Sequence, residues 1–93
     1  MIPDFYRAVD VAAGGWVDVP FGDVMDGQAI SNGSGVECEV SFEGTVVMPL
    51  RTSGPTKSLS WETHRRASVK VRRKTGSGGG PLIVDVFAWR ELR

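Results

Sequence analysis

Hydrophobic and polar positions alternate most strictly in residues 36–48. Val36, Cys38, Val40 and Phe42 interleave with Glu37, Glu39, Ser41 and Glu43. A period of two with one acidic side predicts a half-buried β-strand. Gly44 interrupts it as a bulge would, Thr45–Met48 carries it on, and Pro49 stops it or confines it to an edge. A second strand is predicted over Ala67–Lys74, where Ala67, Val69 and Val71 oppose Ser68, Lys70 and Arg72. A third covers Leu82–Glu91. Both of its faces are largely apolar (Leu82, Val84, Val86 and Ala88 against Ile83, Asp85, Phe87 and Trp89), so it is expected to be central or covered on two sides. The glycine-rich segment 75–81 joins these two strands and is too long for a two-residue turn.

The N-terminal third is ambiguous. Residues 3–13 suit a short helix closed by Gly14, or a strand in which Val9 and Val11 flank Asp10. The recurrence of Val-Asp-Val at 9–11 and 17–19, on either side of Gly14-Gly15, favours a hairpin. Residues 20–35 and 51–58 are rich in Gly, Pro, Ser and Asn and are expected to be loops, with a strand at Leu59–His64 carrying Trp61. Five or six short strands with glycine-rich connections indicate one all-β domain over residues 1–93, a small antiparallel barrel or sandwich with long loops. Segment 1–8 is free to act as an arm toward a neighbour.

The chain has 93 residues, 41% hydrophobic and 24% charged. That fits a single ordinary domain with a thin core. No apolar run reaches the roughly 18–20 residues of a membrane helix. Met1-Ile2-Pro3-Asp4 lacks the basic and apolar regions of a signal peptide, so assembly in the cytoplasm is expected.

Eleven basic and eleven acidic residues give zero net charge, but the halves differ. Residues 1–50 carry eight acids and only Arg7, and residues 51–93 carry ten bases and three acids. Either acidic and basic strands lie side by side and neutralise one another, or the molecule presents two opposed patches. On the second alternative, Glu37, Glu39 and Glu43 would face one partner, and Arg65, Arg66, Lys70, Arg72 and Arg73 another.

Catalytic chemistry is sparse. His64 is the only histidine and has no carboxylate beside it to orient the ring. Cys38, the only cysteine, sits on the apolar side of its strand, where an inert thiol is expected. One Cys and one His cannot build a Cys/His zinc site. The run Asp23-Val-Met-Asp26-Gly27 lacks the spaced oxygen ligands of a calcium loop, and segment 76–80 lacks the Lys-Ser/Thr of a phosphate loop. No catalytic residue, metal or cofactor is therefore expected. The bases at 65–74, with Trp61 and Trp89, suggest an OB- or SH3-like barrel that stacks single-stranded nucleic acid. The zero net charge argues against it.

The loops at 20–35 and 75–81, the Val36–Phe42 strand and the segment Met1–Asp10 together resemble the small accessory proteins of tailed-bacteriophage particles, in particular head decoration (cement) proteins. The resemblance covers the whole chain in style. It implies a non-enzymatic virion protein in symmetric copies, often trimers, that clamps the major capsid protein or other virion subunits. A tail or neck component would share the same features.

Overall fold

The computed structural model describes residues 4–11, 15–42, 46–74, 76 and 80–91. They form eight strands: β1 (Phe5–Asp10), β2 (Val17–Met25), β3 (Gly27–Asn32), β4 (Cys38–Ser41), β5 (Met48–Leu50), β6 (Ser58–Trp61), β7 (Arg66–Arg73) and β8 (Ile83–Trp89). A single 3-10 turn, Pro55–Lys57, precedes β6. The strands form two four-stranded antiparallel sheets, ordered β1-β8-β3-β6 and β2-β7-β4-β5. The protein is thus all-β, as expected, with more strands than the five or six anticipated. The sheets are separate and do not close into a barrel.

The core lies between the sheets. Val9, Ile30, Val84, Val86 and Ala88 come from the first sheet, and Val19, Phe21, Cys38, Val40, Leu50, Val69 and Val71 from the second. Each buried valine or leucine contributes about 1.5–3 kcal/mol by leaving water. Period-two alternation sends these residues inward, and their neighbours along each strand outward.

Three expectations need correction. The two Val-Asp-Val segments are extended but form no hairpin: β1 pairs with β8, and β2 pairs with β7 in the other sheet. Splitting them gives each sheet its own valines to face the core; residues 12–14 of the link lie outside the described residues. Residues 20–35 are not a loop, since they contain most of β2 and all of β3. Residues 36–48 are not one strand. β4 and β5 are antiparallel neighbours with Cys38 opposite Leu50, and Gly44 lies outside the described residues. As expected, β8 is central, between β1 and β3, and its outer side is partly open, with Ile83 48% exposed.

β3 lies in a stretch rich in turn-forming residues, and two of its core positions are polar. Gln28 and Asn32 are fully buried, a costly arrangement unless their amides are bonded. Asn32 Nδ2 donates to the Val36 carbonyl at 2.8 Å, and its Oδ1 accepts from Ser34 N–H at 3.0 Å and Ser34 Oγ at 2.7 Å. Asn32 thereby holds the turn into β4. Gln28 Nε2 donates to the His64 carbonyl at 2.7 Å, tying β3 to the start of β7. Pro20 and Pro49 lie in β2 and β5, the two rims of the second sheet. Rims are where strands tolerate a missing N–H.

Candidate functional site

The two outer faces of the sandwich differ in kind. On the second sheet, register sets Asp18 opposite Lys70 and Glu39 opposite Arg72. The Lys70 ammonium lies 3.5 Å from Asp18, Arg72 Nε 2.9 Å from Glu39, and Lys74 Nζ 3.2 Å from Glu37. The Arg72 guanidinium also stacks on the Trp16 ring, 4.3 Å from its centroid, a cation–π contact. Acidic residues from the first half of the chain therefore sit beside basic residues from the second on one face, the within-chain arrangement of the two weighed above.

The structure brings Glu37, Glu39, Lys70 and Arg72 together and places the other candidates elsewhere. Arg73 turns to the sandwich end, where its Nε donates to the Val11 carbonyl at 2.9 Å and its Nη2 to the Gly80 carbonyl. Arg65 reaches Asp26 at 3.3 Å. Arg66 lies opposite Met25, and its Nη1 donates to the Arg65 carbonyl at 2.9 Å. Glu43 lies outside the described residues.

The outer face of the first sheet is aromatic. Tyr6 and Phe87 are direct cross-strand partners, with ring centroids 4.9 Å apart. Trp89 is opposite Gly27, and its indole covers that glycine so closely that a Cβ could not be added without displacement. Tyr6 is 55% exposed and Ile83 48%. Ala8 on β1 is exposed and Ala29 on β3 half-buried. The Tyr6 hydroxyl donates to Asp85 at 2.7 Å, and that bond to the carboxylate, aided by desolvation, raises its pKa. Only the second apolar parity of β8 signalled this face in the sequence.

Two concavities flank the first sheet. At the C-terminal end of β8, a cleft of about 450 Å³ is lined by Asp23, Val24, Asp26, Arg65, Arg90 and Glu91. Its cations are matched: Arg90 lies 3.0 Å from Asp23, and buried Asp26 accepts the Glu91 N–H at 2.9 Å besides facing Arg65. At the other end, an open groove of about 580 Å³ runs along Gly33–Val36, Gly80, Pro81, Ile83 and Asp85. His64 packs against Phe42, at 4.5 Å between centroids, and lies 6.3 Å from Trp61. Cys38 is buried, and desolvation pushes its pKa from the ordinary 9.0 up to about 12, with the Glu39 charge adding to the rise. Among the described residues, no three His, Cys, Asp or Glu side chains are grouped to hold a metal, and no helix is long and apolar enough to cross a membrane.

No protein family matches the chain, and no curated protein or solved structure matches it either.

Proposed function

We propose that this chain is a non-enzymatic structural protein that docks on a larger protein assembly through the outer face of its first sheet, in the manner of a virion decoration protein on capsid subunits. The observation that carries the reading is the contrast between faces. Ion pairs on the second sheet satisfy charges that a partner would otherwise meet. On the first sheet, Tyr6, Ile83, Phe87 and Trp89 present apolar and aromatic surface to solvent. Aromatic residues at the centre of an interface supply much of its binding energy. Many copies on a repeating lattice would add modest contacts into firm attachment.

The chemistry of the interior supports a non-catalytic role. A thiol whose pKa is near 12 is a poor nucleophile, and the His64 ring is packed on aromatics. Single-strand nucleic-acid binding finds less support, because Lys70, Arg72 and Lys74 each face a carboxylate.

Co-sedimentation of the pure protein with assembled tailed-phage capsid shells tests the reading. Binding is expected to resist added salt and to be lost in Ile83→Glu and Phe87→Ser variants that keep the native circular dichroism. Wild-type protein that stays in the supernatant, or folded variants that bind as well as wild type, would overturn it. Binding to tails or necks in place of shells would keep the docking face and move its location.

A further inference from the structure

Four strand rims bound the two sheets, and three are blunted. β2 carries Pro20 and Gly22 and loses register between Pro20 and Met25. β5 is three residues long and contains Pro49. β6 has four residues. Short rims, prolines and irregular register are how sheets avoid pairing with other chains. β1 has none of these: six residues in unbroken register with β8, without Pro or Gly.

The phase of the ladder shows which β1 backbone groups are unused. Val11 N–H donates to the Leu82 carbonyl at 2.8 Å, continuing the β1–β8 register. In an antiparallel ladder, hydrogen-bonded and non-hydrogen-bonded pairs alternate. Val9, Arg7 and Phe5 therefore bond β8, whereas the N–H and C=O groups of Tyr6, Ala8 and Asp10 point away from it. All three residues are exposed.

We propose that β1 pairs antiparallel with β1 of a second copy, about a two-fold axis at Ala8, joining two first sheets into one. This register sets the outward groups of Tyr6, Ala8 and Asp10 against those of Asp10, Ala8 and Tyr6 in the second copy, making about six backbone hydrogen bonds. Small Ala8 meets itself, and no like charges stand opposite. Centring on Arg7 would set Arg7 against Arg7 and Asp4 against Asp10, which is repulsive. Centring on Val9 would leave more of the strand unpaired. A two-fold pairing is isologous and stops at a dimer, unlike the trimer that the decoration-protein resemblance implies. It also places two aromatic outer faces side by side. The contact is smaller than a standard interface of about 1,200–2,000 Å², so the dimer forms with rising concentration. The inference stands independently of capsid docking.

Sedimentation equilibrium of the wild-type protein across a concentration series reads it directly. The weight-average mass is expected to climb twofold from 10.1 kDa and level off. Amides of Tyr6, Ala8 and Asp10 should gain hydrogen-exchange protection only as dimer forms, while Arg7 and Val9 are protected throughout. Ala8→Pro removes an outward N–H that β8 does not use. Ala8→Lys sets two ammonium groups at the axis. Both should remain at the monomer mass with native near-ultraviolet circular dichroism; if Ala8→Pro unfolds, Ala8→Lys carries the test. A constant monomer mass, a trimer, or a dimer undiminished in folded Ala8→Lys overturns the proposal. Loss of shell binding with the dimer intact overturns only the docking reading.

Discussion

The indole of Trp89 covers Gly27, its direct cross-strand partner, so closely that it occupies the space a Cβ there would need. Gly27 has an ordinary backbone conformation, so the constraint there is one of space. Gly27→Ala is expected to cost about 1–3 kcal/mol by overpacking, read as a lower urea midpoint. A second change, Trp89→Leu, should recover part of that loss, because the added methyl then has room. Strictly additive losses in the double-mutant cycle would show that the two residues are not coupled.

Reversing the charges of Lys70 and Arg72 to Glu sets two new carboxylates opposite Asp18 and Glu39, four in all across β2, β7 and β4. These groups are partly exposed, so the loss is expected to stay near 1–2 kcal/mol. Screening should narrow the gap to wild type as salt rises. Thermal melts at low and high salt check both the size and the trend.

Asn32 is a more sensitive position. Asn32→Leu keeps the volume but strips donors from the Val36 carbonyl and the acceptor from Ser34. Buried groups left without partners cost about 1–3 kcal/mol each. A loss of about 2–4 kcal/mol in chemical denaturation is expected, larger than for substitution of the exposed Ser58 or Ser60, and a neutral result would mean that the turn does not depend on this amide.

Cys38 gives stability a defined alkaline slope. Its folded pKa is raised to about 12 from 9.0. Between these values the unfolded chain has lost the thiol proton and the folded one keeps it. The contribution is therefore complete below about pH 9 and falls away as pH rises toward 12. Cys38→Ala should flatten that part of the stability–pH profile relative to wild type. Native protein should also resist alkylation at mildly alkaline pH and react once unfolded.

How much of this architecture was legible depended on whether a strand's partners could be inferred from its own alternation. β7 and β8 were, nearly to the residue, β7 because its apolar and polar positions alternate and β8 because its long β-branched and aromatic run suits an interior strand. β3 was not: Gln28 and Asn32 occupy core positions, and the groups that bond their amides, among them the carbonyls of His64 and Val36 and the Ser34 N–H and hydroxyl, come from distant or following segments. The recurrent Val-Asp-Val predicted extended chain but not its partner, since β1 and β2 are equally suited to a hairpin or to separate sheets. Segregation of acids and bases along the chain left cross-strand neutralisation as one of two outcomes, and only the register shows that Glu39 and Arg72 are paired within the chain. Tyr6 and Phe87 come from opposite ends of the chain, so their meeting on one face could be seen only once β1 was placed beside β8.

Pro20 and Pro49 stand at the two rims of the second sheet. Each withholds a donor from any incoming strand, which makes that layer a dead end for templated growth. However crowded the protein becomes, stacking of this sheet edge to edge into a filament would have to begin against a missing bond on either side. The molecule can thus be packed densely without its strands recruiting one another indefinitely.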